Sequence, residues 1–330
     1  MLRPYVWAAC TRVYEKRSAK ALFVNWDSEY VQRLVQTALE EDIGAGDATV
    51  LATIPARATG KARILAREDL VCAGLPMAEK VFCALDPDMK MELRVHDGDL
   101  VSKGTVLLHL HGKARAILTG ERTALNFLSR LCGIATMVHH FVEKIQGTRA
   151  RIRDTRKTTP GLRLLEKYAV KTGGGTNHRI GLYDAILLKE NHIALAGGVK
   201  QALDQAHSYA ALHFKPDALT AYEEAVPSRV SDTVLPIQIE VRNEHELREA
   251  LSAGAEAILL DNMTPVEAKR SVDLARQIRP DCVEEISGGI ALDNVRAYAE
   301  TGADFLSSGT LTHSAPAANL SLLVDSIEDK

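Results

Sequence analysis

Two rhythms of apolar residues run along the chain and change places near its middle. Val31, Leu34, Val35, Ala38 and Leu39 recur at helical spacing, which predicts a helix capped by Asp27 or Ser28 and ending near Asp42-Ile43-Gly44. Gly44-Ala45-Gly46-Asp47 then reads as a turn. Between residues 60 and 111 the rhythm shortens into β-prone segments at 62–66, 91–95 and 105–110, interrupted by one helix around 77–85. A long helical passage is predicted over 115–137, with a candidate break at Gly133. Beyond it, strand-like runs at 151–154, 185–189, 236–241, 257–261, 283–287 and 304–308 alternate with helical patterns. That alternation predicts a parallel sheet with crossover helices, paced for a closed or nearly closed barrel. Polar residues stand at the C-terminal ends of these runs, namely Asp154, Lys189, Glu240, Asp261 and Ser287, the end where such barrels place their chemistry.

Charge sharpens this picture. The 330 residues are 46% hydrophobic and carry a net charge of -3, enough for a large core and too acidic overall for general nucleic-acid affinity. Against that background, residues 149–179 hold Arg149, Arg151, Arg153, Arg156, Lys157, Arg163, Lys167, Lys171 and Arg179, with only Asp154 and Glu166 as acids. Such a block calls for an anionic ligand. Cys10, Cys72, Cys83, Cys132 and Cys282 are odd in number and widely spaced, so neither a disulfide framework nor a zinc cluster is expected, and a reducing, cytoplasmic setting follows. No apolar run is long enough to span a bilayer. The basic first 20 residues lack a signal-peptide core and read as a simple extension.

Several residues offer chemistry. Arg156-Lys157 and His178-Arg179 fall on predicted loops beside Thr158, Thr159 and Asn177; arginine grips a carboxylate through two bonds, and lysine suits a phosphate oxygen. Ser287-Gly288-Gly289, between a strand and a helix starting near Asn294, can hold a phosphate, as can Ser307-Ser308-Gly309-Thr310 after the last strand. Glu240 and Asp261 end neighbouring strands and are expected to face one another, either holding Mg²⁺ or ribose hydroxyls, or paired with Lys189 or Arg156. His192 and His313 read as structural. His139-His140 lacks companion ligands and is given no metal role.

With these residues in hand, the chain resembles the quinolinate phosphoribosyltransferase family from about Val31 to Leu323. The likeness rests on Glu121-Arg122-Thr123-Ala124-Leu125-Asn126, Asp154-Thr155-Arg156-Lys157-Thr158, Gly173-Gly174-Gly175-Thr176-Asn177-His178-Arg179, Leu188-Lys189-Glu190-Asn191-His192, Leu260-Asp261-Asn262 and Ser287-Gly288-Gly289. The resemblance implies an α/β protein with an N-terminal α/β sandwich-like domain followed by an incomplete (β/α) barrel. Expected boundaries are an extension over 1–25, the first domain over 26–133, the barrel over 134–312, and a C-terminal helix over 313–330 packing back on the first domain. It also implies Mg²⁺-dependent transfer of phosphoribosyl from phosphoribosyl pyrophosphate to quinolinate with loss of carbon dioxide, giving nicotinate mononucleotide for NAD biosynthesis.

By the same resemblance, Arg122, Arg156, His178, Arg179 and Lys189 meet quinolinate, with Arg122 reaching in from a neighbouring subunit of a homodimer or hexamer. Lys157, Glu240, Asp261, Ser287, Gly288, Gly289 and Gly309 meet phosphoribosyl pyrophosphate. Lys157, Glu240, Asp261 and Lys189 carry the catalysis, and Glu240 and Asp261 are the candidate Mg²⁺ ligands. Two departures stand out: Gln238 and Arg242 flank Glu240 where the family usually alternates acids, and residues 197–235 are longer than the family needs, with 213–231 resembling an added helix or loop. Rival readings are a phosphoribosyltransferase for nicotinate or another base, a quinolinate-binding protein without turnover, and a carrier module suggested by residues 95–104. The last lacks a lysine between methionines at a hairpin tip.

Overall fold

Ser28 opens the first helix, its hydroxyl accepting from the Val31 N–H, and Gly44 closes it at positive φ. That helix is the first element of the computed structural model, which describes residues 24–213 and 237–328. The elements run α1 (Glu29–Ile43), α2 (Ala48–Thr53), β1 (Thr59–Ala66), β2 (Leu70–Val71), α3 (Leu75–Leu85), β3 (Lys90–Leu93), β4 (Leu100–Val101), β5 (Val106–Lys113) and α4 (Ala114–Lys144). They continue as β6 (Arg151–Arg153), α5 (Arg163–Thr172), β7 (Ile186–Leu188), α6 (Glu190–Ala196), α7 (Val199–His213), β8 (Ile237–Val241), α8 (Glu244–Ser252), β9 (Ala257–Asp261), α9 (Pro265–Ile278), β10 (Val283–Ser287), α10 (Val295–Ala299), β11 (Phe305–Ser307), α11 (Thr310–His313) and β12 (Leu320–Glu328). The chain divides into two units, one holding the described residues up to Met137 together with those from Ala315 onward, the other Val138–Ser314.

In the first unit a four-stranded antiparallel sheet has the order β12-β1-β5-β3. Ala62 and Ile64 of β1 and Leu108 and Leu110 of β5 are buried, so period-two patterning is what defines this layer. The helix expected over 313–330 is overturned across Leu320–Glu328, which pairs antiparallel with β1 from Thr59↔Glu328 to Ala66↔Leu320. An edge of β1 would otherwise stand open, and its N–H and C=O groups take β12 as partner. Arg63 and Asp325 add an ion pair at 2.8 Å across the two strands.

The expected break at Gly133 does not occur, because α4 runs unbroken for 31 residues. Glycine is needed there for a different reason: a Cβ would collide with the Pro316 carbonyl. The returning segment crosses α4 at that point, with Ala318 N–H donating to Ser129 O at 2.8 Å. Even α4 carries too many polar residues for a bilayer, and among the described residues no helix is long and apolar enough to cross a membrane.

The second unit is built on a six-stranded parallel sheet, β6-β11-β10-β9-β8-β7. Thr176 bridges onto Arg153 beside β6. Among the described residues no ladder joins β6 to β7, so the barrel is incomplete. Its interior begins with Ala257, Val283 and Phe305. Above them lies a polar layer, with the Arg153 guanidinium 3.4 Å over the Phe305 ring. Helix α7 accounts for the first part of the 197–235 stretch; the added helix or loop expected over 213–231 falls, after His213, outside the described residues.

Candidate active site

Asp154 follows β6 and is fully buried. Its carboxylate accepts from Lys167 Nζ at 2.5 Å, from Asn177 Nδ2 at 2.7 Å and from the His178 N–H at 2.7 Å. Lys167 Nζ also donates to the His178 carbonyl at 2.9 Å. Four polar groups thus satisfy one another where water cannot reach, which fixes the 177–179 loop. Arg153, equally buried, donates to Glu285 at 2.6 Å. These two cations of the basic block serve the fold and are not presented to a ligand, which corrects the reading of the whole block as a site. Their side chains point inward from β6 and α5, where an uncompensated charge would not survive.

The loops beyond the strand ends carry a second group of cations. Arg156, Lys157, Arg179 and Lys189 line a cavity of about 690 Å³, together with His178, Asp261, Asn262, Ser287, Gly288, Gly289, Ser308, Gly309 and His313. Arg156 Nε is buried with no hydrogen-bond partner. Arg179 is anchored through Nη1 to Ala185 O at 3.0 Å, and burial together with the neighbouring Arg156 lowers its pKa. Two guanidinium groups held this close favour an anion between them. Lys189 pairs with Glu240 across β7 and β8, so the ion pair foreseen as one alternative for Glu240 is present.

Asp261, at the end of β9, is pushed up by burial and by Glu240, while Lys189 and Lys157 oppose the shift. Asn262 holds it from the side, donating to its carboxylate at 2.7 Å. Asn262 is the one non-glycine residue at positive φ (55°) among the described residues. Its backbone N–H donates to Ser287 O at 2.9 Å, and a Cβ on Gly288, itself at φ 95°, would strike the Asn262 amide. The glycine is therefore required by close approach as well as by φ. On the other wall, Gly309 sits against the Lys157 stem and the His313 ring, so His313 lines the cavity in addition to its bond with Ser314. His192 accepts the Lys189 N–H at 3.0 Å and caps α6.

Gln238 does not alternate onto the opposite face from Glu240. It points inward one layer deeper, buried beneath His178, with its amide at 3.1 Å from His178 Nε2 and 3.0 Å from Glu285. Arg242, by contrast, is outside the cavity and bonds Glu246 and Glu190. Arg122 stands exposed on α4 and is not among the residues lining the cavity. Glu285 escaped notice in the sequence; its one signal is an acid in the middle of an otherwise buried strand. Burial would raise its pKa, yet the Arg153 guanidinium and donors from Ser307 and Gln238 oppose that and hold it low.

The cavity at the barrel mouth thus joins arginine and lysine side chains with two glycine-bearing turns. The family description "Quinolinate phosphoribosyl transferase, C-terminal domain" matches residues 134–216 and 215–323, and the corresponding N-terminal domain matches 47–132. The chain belongs to the quinolinate phosphoribosyltransferase family. A probable nicotinate-nucleotide pyrophosphorylase (carboxylating) of Bacillus subtilis (strain 168) is 39% identical over 292 residues, covering 88% of this chain and 92% of that protein. Quinolinate phosphoribosyltransferase (decarboxylating) 1b of Nicotiana tabacum is 37% identical over 305 residues, or 88% of this chain and 81% of that one. Among solved structures, NadC from Streptococcus pyogenes superposes with a TM-score of 0.79 at 35% identity, covering 90% of this chain and 96% of its own. The cavity lies wholly in the part matched by the C-terminal domain.

Proposed function

We propose that this chain transfers phosphoribosyl from phosphoribosyl pyrophosphate to quinolinate and releases pyrophosphate, carbon dioxide and nicotinate mononucleotide, a step of NAD biosynthesis. The observation that carries the reading is the lining of the cavity, which brings Arg156, Arg179 and Lys189 together with the 287–289 and 308–310 turns. A dicarboxylate suits the first and phosphates the second. Asp261 lines the same cavity and Glu240 acts on it from the neighbouring strand β8, so the ribose is assigned to this pair.

The pyridine nitrogen attacks the anomeric carbon as the bond to the pyrophosphate oxygen breaks. Glu240 and Asp261 stabilise the positive charge that develops on the sugar. Lys157, on the phosphate side, draws negative charge onto the leaving group. Ring nitrogen, once alkylated, is cationic and takes up the electron pair left when the adjacent carboxylate departs as carbon dioxide; a proton then fills that carbon. Aligning two highly charged substrates in this way removes on the order of 7 kcal/mol from the barrier.

Among the described residues, no cluster of three or more His, Cys, Asp or Glu side chains could cage a metal by itself. Glu240 and Asp261 nonetheless fit Mg²⁺, which is commonly held by one or two carboxylates with the oxygens of a substrate phosphate. Bound there, the ion would supply charge neutralisation on the pyrophosphate. Arg122 is proposed to complete the carboxylate site from a second copy of the chain.

The test is turnover of quinolinate with phosphoribosyl pyrophosphate and Mg²⁺, following carbon dioxide and nicotinate mononucleotide, with nicotinate in parallel. Product from quinolinate alone supports the reading, and product only from nicotinate overturns it. Mixing Arg122→Ala with Lys189→Ala chains is expected to restore activity that each lacks alone; no recovery would refute the shared site.

A further inference from the structure

We infer that Gln238 holds His178 as the neutral Nε2–H tautomer, and that the ring is a positioning residue for Arg179 and not a ligand for quinolinate. This deepens the proposed function, on which the role of Arg179 rests. The argument starts at the backbone. Arg179 N–H lies 2.7 Å from His178 Nδ1, and an amide N–H can only donate, so Nδ1 must be the unprotonated nitrogen. The proton of a neutral ring then sits on Nε2, 3.1 Å from the Gln238 side-chain oxygen.

The orientation of the Gln238 amide is fixed in turn. Its nitrogen faces Glu285 Oε2 at 3.0 Å, and a carboxylate already receiving Arg153 and Ser307 can only accept. Reversing the amide would set oxygen against oxygen at Glu285. Every donor in the row therefore points the same way: Arg179 N–H to His178, His178 to Gln238, Gln238 to Glu285. No ring nitrogen is left to meet a substrate carboxylate.

Glu285 Oε1 is 3.6 Å from His178 Nε2, so an imidazolium ion pair is the rival. It fails on geometry, because an Nδ1–H would confront the Arg179 N–H at 2.7 Å. Burial also lowers the His178 pKa, with Glu285 and Asp154 opposing and Arg153 and Lys167 reinforcing that shift. The consequence concerns Arg179: with its N–H tied to Nδ1 and its guanidinium tied to Ala185 O, the arginine is held at both ends facing the cavity. Fixing a binding group through its neighbour in this way typically changes affinity 10- to 100-fold when the neighbour is lost, roughly as observed for the outer partners of metal ligands.

Two measurements decide it. Nitrogen-15 spectra of the histidines of the folded, full-length protein between pH 6 and 8, with His178 identified by the signals missing from His178→Asn, are expected to show Nε2 protonated and Nδ1 bare. A protonated Nδ1, in either the other tautomer or an imidazolium, overturns the inference. Kinetically, Gln238→Leu is expected to raise the quinolinate KM about tenfold, the worth of one buried hydrogen bond, and to leave that of phosphoribosyl pyrophosphate unchanged. His178→Asn, whose side-chain oxygen can take the Arg179 N–H, should keep more quinolinate affinity than His178→Phe. Equal changes in both KM values, or equal loss in the two His178 variants, count against positioning. Should Gln238→Leu fail to fold, the spectra of the unaltered protein settle the matter. A protein that turns over no quinolinate would refute the proposed function, while the spectra would still locate the proton.

Discussion

One stretch of chain, residues 149–179, supplies two sets of cations with opposite fates. Arg153 and Lys167 are sealed in the barrel against Glu285 and Asp154. Arg156, Lys157 and Arg179, a few residues along, face an open cavity. Depth along the barrel axis separates them, since side chains directed inward from strand and helix must find partners within the protein, and those past the strand end need not. Density of charge in a sequence therefore announces an electrostatic demand without saying whether a ligand or the protein itself meets it.

The contrast can be broken from its buried side with the largest effect. Lys167→Met leaves Asp154 charged and unpaired in the interior and should cost about 3–5 kcal/mol of stability. Denaturant unfolding measures it, and a loss under 1 kcal/mol would mean that the cluster is not what holds the loop. On the open side, Arg179→Ala should leave the unfolding midpoint nearly unchanged and weaken quinolinate about 100-fold, the upper range for a charge-assisted bond. Equal weakening of phosphoribosyl pyrophosphate would remove its carboxylate role. Lys157→Ala is expected to lower kcat about tenfold at saturating substrates by slowing pyrophosphate departure; unchanged turnover would refute that.

A smaller test uses two adjacent residues of β10. Glu285 faces Arg153 and is held low, whereas Glu284 on the opposite face is raised to about 7 by burial and by Asp304, with Arg276 opposing. A carboxyl whose folded pKa lies above its unfolded value of 4.5 favours the fold when protonated, so its contribution is present at low pH and lost as pH rises from there through about 7. Glu284→Gln should accordingly be more stable than the parent at pH 8, by on the order of 1 kcal/mol, and no more stable at pH 4. A stability gap that does not change with pH would sink this account.

Much of this was legible beforehand. Alternating apolar runs placed β8, β9 and β10 to within a residue, and Asp261 and Ser287, at the ends of β9 and β10, line the cavity. The C-terminal strand was missed because Leu320–Glu328 has too weak a pattern to declare itself without β1 beside it; the pairing edge comes from residues some 260 positions earlier. Gly133 misled for a related reason, since a helix glycine usually signals a break and here admits the Pro316 backbone. Arg156, Lys157, Arg179 and Asp261, singled out by charge type and position, line the cavity. Gln238, Glu285 and Asn262 were undervalued: their roles depend on hydrogen bonds to residues 25 to 60 positions away, or on a left-handed turn that sequence spacing does not reveal.

The pairing of β12 with β1 also sets an order of events on the ribosome. A polypeptide emerges from its beginning, yet the sheet that contains β1 lacks one of its four strands until residue 328 has been made. The second unit, Val138–Ser314, is continuous and can close while synthesis is still under way. The segment translated first is thus finished last, and during that interval the bare edge of β1 is the surface most open to pairing with the wrong strand.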